Sequence, residues 1–181
     1  MADCGIHALH MAQFVTGQRI TAIAAQFDRC VAGRELEDDA LLAVRFDGKA
    51  VGRVWTSAVA CGQPHGFSVR VFGSKGGLRW HQETPNQLHW SPLGGATQVL
   101  ERAGPGLYPR ALNASRITLG HPEGLLVAFA NIYRALHRRI GGTLQPEWHA
   151  DFPTVVDGAS MVRAVHAAAK SARSGGGWQA L

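Results

Sequence analysis

The amino-acid sequence predicts an α+β fold, a largely antiparallel, open-faced sheet with helices on one face. Three observations predict it. A short amphipathic segment opens the chain, runs of strand character separated by turn signals fill residues 19–98, and two longer helical periodicities close it. Apolar residues recurring about every 3.6 residues mark helix, and strands grouped together between helices, instead of alternating with them, mark the α+β class.

In order along the chain, Ile6, Leu9 and Phe14 recur at helical spacing between Asp3, a residue suited to cap a helix, and Gly17, a residue suited to stop one. Strand runs follow at residues 20–24, 40–46, 51–59, 67–72 and 78–82. Asp47-Gly48 reads as the hairpin turn between the second and third runs, and Ser74-Lys-Gly-Gly77 as the turn between the last two. Residues 94–122 mix Gly, Pro and Asn with few apolar runs, which predicts a long surface excursion. A helix then starts near Pro122 and stops at Gly141-Gly142, with Leu125, Leu126, Phe129, Ile132, Tyr133, Leu136 and Ile140 on one face; Phe129 and Tyr133 are expected in the core. A final helix over residues 154–173 is expected to turn Val155, Ala159, Val162, Val165 and Ala169 inward, and Gly175 to Gly177 end it ahead of Trp178.

The 181 residues, 46% hydrophobic and 17% charged, suit one packed unit with a sizeable core and exclude a disordered chain. Net charge is +5 and lysine occurs only at Lys49, Lys75 and Lys170, so the basic excess is arginine. No basic cluster stands out, and the reading is a solvated arginine surface without a nucleic-acid partner. Cys4, Cys30 and Cys61 lie too far apart for a disulfide framework or a zinc ribbon and read as reduced, mostly structural thiols. Neither a secretory leader nor a membrane span is visible, which predicts a soluble, cytoplasmic chain with no membrane partner.

The segment Asp3-Cys-Gly-Ile-His7-Ala-Leu-His10 carries the most chemistry. Spacings of four and three place Asp3, His7 and His10 on one helical face. A carboxylate beside an imidazole orients it and raises its basicity, which suits a general base acting on a hydroxyl proton. A capping Asp with two polar histidines gives the same pattern without chemistry. A zinc-type site is the weaker reading, because no fourth ligand is nominated elsewhere, and no metal is expected.

Asp3-x-Gly5-x-His7, followed by a helix ending in Phe14-Val-Thr-Gly17, resembles a signature of the Gfo/Idh/MocA oxidoreductases. The resemblance continues through Asp38-Asp39-Ala-Leu-Leu-Ala-Val-Arg-Phe46, Val69-Arg-Val-Phe-Gly73-Ser-Lys-Gly-Gly77-Leu-Arg-Trp80, Gly120-His-Pro-Glu-Gly124 and Asp151-Phe-Pro-Thr-Val-Val-Asp-Gly158. It implies that residues 1–181 are the C-terminal substrate-binding and oligomerisation domain of such an enzyme, with the N-terminal dinucleotide-binding Rossmann domain absent. The implied reaction is NAD(P)-dependent oxidation of a sugar, polyol or cyclitol CH-OH group, with His7 as general acid/base and Asp3 orienting the substrate. His10 stands where the family more often has a carboxylate, and is assigned with His121 to substrate binding.

The resemblance also implies that NAD or NADP serves the full-length protein and that this chain alone binds neither and is inactive. The family's catalytic lysine lies in a Glu-Lys-Pro motif, a context that Lys49, Lys75 and Lys170 all lack. Gly73-Ser-Lys-Gly-Gly77 leads into the alternating run Leu78 to Glu83 and not into a helix, so it reads as a hairpin turn and not as a pyrophosphate loop. The alternative reading is a non-enzymatic dimerisation or carbohydrate-binding module on the same fold.

The remaining candidates have plain structural readings. His121 is placed either at a sugar hydroxyl or as a helix cap, Trp80, Trp90 and Glu83 as sheet-face packing before carbohydrate contact, and Arg116 as a solvated side chain before an anion contact. Trp55, Val59, Val69, Val71 and Trp80 supply apolar residues for both sheet faces while the helices cover one. The open face is therefore expected to pair with a second copy, most simply as a sheet-on-sheet dimer. The competing expectation is a second face made polar by Arg45, Arg53, Arg70 and Thr56.

Overall fold

The computed structural model describes residues 1–143 and 152–181. The chain forms helix α1 (Cys4–Thr16), strands β1 (Ile20–Asp28), β2 (Asp39–Phe46), β3 (Val51–Ser57), β4 (Ser68–Gly73), β5 (Gly76–His81), β6 (Gln87–Pro92) and β7 (Gln98–Glu101), then α2 (Pro109–Ala114), α3 (Leu125–Ile140), α4 (Val155–Arg173) and β8 (Gln179–Ala180). This is the α+β class, with all described strand pairs antiparallel. Where composition predicts one packed unit, the backbone divides into two: Met1–Pro64 with Thr154–Leu181, and His65–Pro153.

The first unit is a four-stranded sheet in the order β3-β2-β1-β8 with α1 and α4 on one face. Alternation along the strands sends Ile23, Leu42, Val44 and Val54 to that face, where they meet Leu9 of α1 and Met161, Ala164 and Ala168 of α4. Leu9, Ile23, Leu42 and Val44 are fully buried, and each such side chain contributes about 1.5–3 kcal/mol. The opposite face leaves Leu41, Val51 and Trp55 exposed. The helices therefore cover one face, as the sequence predicts.

Helix α4 turns a different stripe inward from the one expected. Met161, Ala164, Ala168 and Ser171 are buried, whereas Val155, Ala159 and Val162 are exposed. The small side chains let α4 approach β1 closely. The Ser171 hydroxyl accepts from Ala25 N–H at 2.8 Å and donates to Gly177 C=O at 2.6 Å. It thereby satisfies a strand amide beyond the two-residue ladder with β8, where Ala22 faces Ala180 and Ile23 faces Gln179. The short β8 falls in a tail where the sequence shows only a helix stop.

Asp47-Gly48 does form the β2–β3 turn, but the left-handed conformation falls on Lys49 (φ 69°), one residue later. Lys49 N–H donates to Phe46 C=O at 3.2 Å and Phe46 N–H to Ala50 C=O at 3.0 Å, closing a three-residue hairpin. Asp38, only 4% exposed, organises the preceding loop. Its carboxylate accepts from Cys30 N–H at 2.7 Å, Val31 N–H at 3.0 Å and Arg34 Nη1 at 3.2 Å. The Cys30 amide bond, joined by those from Val31 and Arg34, holds the Asp38 carboxyl below the usual range. Cys4, Cys30 and Cys61 are exposed free thiols and not the structural thiols expected.

The second unit carries a meander in the order β4-β5-β6-β7. The cross-strand pairs Val69 with Trp80, Val71 with Leu78 and Leu88 with Leu100 put these residues on one face. The other face carries Arg70 opposite Arg79 and Arg79 opposite His89, lining an open depression of about 390 Å³. For this sheet the competing expectation of a polar second face holds at Arg70. The predicted Ser74–Gly77 turn is a hairpin, and Gly76 (φ 150°) is required in it because a Cβ there would lie 2.3 Å from Ser91 C=O.

Residues 94–122 are not all excursion, since they contain β7 and α2, and β6 also forms outside the runs read from the sequence. Helix α3 ends at Gly141 as predicted, but its apolar stripe is exposed: Phe129 is 50% and Tyr133 67% exposed, so neither is a core residue. A helix shows which residues share a face, and tertiary structure decides whether anything covers it.

Candidate functional site

Helix α1 is positioned by its apolar side. Gly5 and Leu9 are buried against the first sheet, and Gly5 admits the Met1 side chain and the Thr56 methyl where a larger residue would clash. At about 100° per residue, Asp3, His7 and His10 fall within about 60° of each other on the side away from Leu9. Asp3 and His7 are exposed and His10 is half-buried. Gly17 ends the helix in the left-handed conformation (φ 66°), its N–H bonded to Gln13 C=O.

Asp3 occupies the N-cap position but does not cap. Its backbone is already helical (φ −80°, ψ −78°) and its side chain makes no capping hydrogen bond. The expectation of a capping Asp is corrected, because a cap needs an extended residue to aim its oxygen at the first amides. The carboxylate is thus left on the histidine face.

The structure places Asp157, quoted above as part of the last motif but given no role there, at the start of α4, the helix that packs against α1. Thr154 and Asp157 form a capping box at the start of α4, with Thr154 N–H to Asp157 Oδ2 at 2.7 Å and the Thr154 hydroxyl to the same oxygen at 2.7 Å. These bonds, with the nearby His10 charge, hold the Asp157 carboxyl below its usual range. Helices α1 and α4 pack together in the first unit, and Asp157 lies close enough to His10 to feel its charge without pairing with it. The Thr-x-x-Asp spacing announces the box, but nothing in the sequence announces the neighbour.

His121 belongs to the second unit, exposed in a turn before α3, with its Nδ1 3.3 Å from the Thr118 hydroxyl. It is not a helix cap, since Gly124 holds that position. Its loop is fixed by a polar cluster that the sequence reading missed. Arg102 lies 3.1 Å from Glu123 Oε1 and donates to Asn86 Oδ1, Ile117 C=O and His121 C=O. Glu123 Oε1 also accepts from Arg116 N–H at 2.6 Å and Ile117 N–H at 2.5 Å.

The minor candidates resolve into structure. Trp80 Nε1–H donates to Pro85 C=O at 3.1 Å and its ring meets Phe67 edge-on. Glu83 accepts from Gly66 N–H at 2.7 Å, which lowers its carboxyl pKa. Arg116 donates to Asn113 C=O and to Asn131. Among the described residues no group of three His, Cys, Asp or Glu side chains is placed to hold a metal, and no helix is long and apolar enough to cross a membrane. Asp151, the first residue of the last motif, lies outside the described residues.

Comparison with known proteins agrees with this architecture. The GFO/IDH/MocA C-terminal domain matches residues 1–79. The chain is 28% identical over 184 residues to the uncharacterized oxidoreductase YfiI of Bacillus subtilis (strain 168), covering 98% of this chain and 47% of that protein. It is 42% identical to an oxidoreductase from Sinorhizobium meliloti, with a TM-score of 0.92 over 98% of this chain and 51% of the other. An inositol dehydrogenase homolog from Azotobacter vinelandii, solved with NADH and myo-inositol, is 35% identical with a TM-score of 0.83, covering 99% of this chain and 49% of the other. The chain thus spans about half the length of these relatives. On these matches residues 1–79 carry the C-terminal domain of the Gfo/Idh/MocA oxidoreductases, and the chain over nearly its whole length is similar to oxidoreductases about twice as long.

Proposed function

We propose that the chain is the substrate-binding and catalytic half of an NAD(P)-dependent, cytoplasmic oxidoreductase that acts on a hydroxyl of a sugar, polyol or cyclitol. One observation carries the reading: α1 presents Asp3, His7 and His10 together on the face turned away from the core. The inositol dehydrogenase homolog solved with NADH and myo-inositol supports the substrate class and the cofactor.

On this reading the dinucleotide is held outside this chain. The glycine run Gly73 to Gly77 sits in a β-hairpin, with no helix N-terminus after it to receive a pyrophosphate. NAD(P), held by a companion half, supplies the hydride acceptor. The chain's own task is proton transfer and orientation. His7 takes the proton from the substrate hydroxyl as it becomes a carbonyl and returns it in the reverse direction. Asp3 orients the hydroxyl and favours the charged imidazole formed in that step. His10, on the same face of α1, binds a further hydroxyl, and His121, held by the Arg102 cluster in the second unit, remains a separate candidate substrate contact.

The outer face of the first sheet, with exposed Leu41, Val51 and Trp55, is the proposed sheet-on-sheet contact of a homo-oligomer. The test of the catalytic reading is His7→Ala in the enzyme assembled with its dinucleotide-binding half, followed by nicotinamide absorbance. A fall in kcat of about 10²- to 10⁴-fold with little change in dinucleotide affinity supports it. Unchanged turnover defeats it.

A further inference from the structure

Alternation along β4, β5 and β6 sends Arg70, Arg79 and His89 to one face of the second sheet, in a single row across three strands, since Arg70 pairs with Arg79 and Arg79 with His89. Like charges directly opposite one another on neighbouring strands destabilise the ladder. Among the described residues neither guanidinium is paired with a carboxylate, the ion pairs there being Met1 with Glu37, Arg34 with Asp38 and Arg102 with Glu123. Glu101, at the edge of the same face, accepts from Gln87 Nε2 at 2.9 Å, and Glu83, past the end of β5, from Gly66 N–H at 2.7 Å. The two arginines therefore face each other uncompensated.

Their row opens into the depression of about 390 Å³, whose lining residues all belong to the second unit and include no carboxylate. Gly77 leaves the space open. It stands between Phe72 and Ser91 in the ladder, and a Cβ there would come within 3.2 Å of the Phe72 ring. Around this space the polar groups are donors. An arginine can only donate, so with Arg79 Nη2 at 3.4 Å the His89 Nδ1 accepts and Nε2 carries the proton. The Ser91 and Thr97 hydroxyls lie 2.8 Å apart, and one hydrogen bond between them leaves the accepting hydroxyl its own O–H to donate.

We propose that this depression binds a phosphoryl group, free or carried on a small ester. Two fixed positive charges favour a dianion, and guanidinium groups match phosphoryl oxygens in paired hydrogen bonds. Strands about 4.8 Å apart make the row about 10 Å wide, enough for one phosphoryl group between its donors and too short to follow a nucleic-acid backbone. The Phe72 ring, 79% exposed beside Gly77, offers an apolar wall to the carbon skeleton of an ester. The site lies wholly within the second unit and does not depend on the reaction assigned to His7.

The test uses the 181-residue chain at constant ionic strength with sodium phosphate, glucose 6-phosphate, sodium acetate or sodium chloride. Calorimetry is expected to show saturable binding of phosphate or of the sugar phosphate with a millimolar or tighter Kd, and acetate at least about tenfold weaker. Tighter binding of the sugar phosphate assigns the site to an ester, tighter binding of phosphate to the free ion, and either supports the site. Arg79→Gln is expected to weaken the binding by about tenfold or more. Arg70→Gln repeats the measurement without touching the His89 contact. In thermal melts phosphate should raise the wild-type Tm, and each variant should melt no lower than the wild type without phosphate and gain little from it. The proposal is overturned if chloride raises the Tm as much as phosphate does, if neither phosphate nor the sugar phosphate binds at millimolar concentration, or if both variants bind phosphate as the wild type does.

Discussion

Arg102 and Glu123 form an ion pair of 3.1 Å with side chains only 16% and 6% exposed, and this pair ties β7's end to the loop that carries His121. Low exposure makes it costly to break from one side, since the remaining charge stays buried without its partner.

Glu123→Ala is accordingly expected to destabilise the second unit by about 3 kcal/mol, because it strands Arg102 and frees the Arg116 and Ile117 amides at once. Denaturant unfolding measures the loss, and amide exchange at residues 116–121 should rise with it. A change below about 1 kcal/mol would mean that the loop is held by the carbonyl contacts of Arg102 alone.

Two turn positions should respond with opposite sign. Lys49, at φ 69°, bears the left-handed strain that glycine does not, so Lys49→Gly is expected to stabilise by about 0.5–1 kcal/mol after the entropic cost of glycine. Gly76→Ala places a Cβ 2.3 Å from Ser91 C=O and 2.6 Å from the Trp90 ring, and should cost about 2 kcal/mol. Thermal melts of the two variants should move to opposite sides of the wild type.

Acid should unlock the loop after β1. The folded pKa of Asp38 lies below its ordinary value, so its contribution is fully present above about pH 4 and is lost as pH falls through the depressed folded value. Asp38→Asn should lower the denaturation midpoint at pH 7 and show a shallower further loss on acidification than the wild type. Parallel acid limbs for the two proteins would assign the acid sensitivity to other carboxylates, of which Asp157 and Glu83 are also held low by hydrogen bonds.

The glycine run from Gly73 to Gly77 bonds into a hairpin and is not followed by a helix, so its amides are not gathered toward a phosphate. Calorimetric titration of the 181-residue chain with NAD+ is expected to show no micromolar binding. Saturable heat at that concentration would place a dinucleotide site on this chain and refute the assignment of the cofactor to a companion half.

Sequence alone determined the parts of this protein that rest on local rules. Gly17 stops α1 in the left-handed conformation that glycine adopts without strain, the apolar runs around Val44, Val54 and Val71 are strands, and Asp3, His7 and His10 share a face by spacing. Tertiary structure decided what each face meets. Helix α4 buries Ala164, Ala168 and Ser171 in place of Val155 and Val162, because close approach to β1 favours small side chains and Ala25 N–H needs the Ser171 hydroxyl. The α3 stripe reads as core in sequence, yet Phe129 and Tyr133 stay exposed, since periodicity describes a helix and not its neighbour. Asn86 binds Glu123 across 37 residues of chain, and the Ser171 hydroxyl accepts from Ala25 N–H across 146. Such contacts leave no local pattern, because the energy that makes them appears only when distant segments have already been brought together.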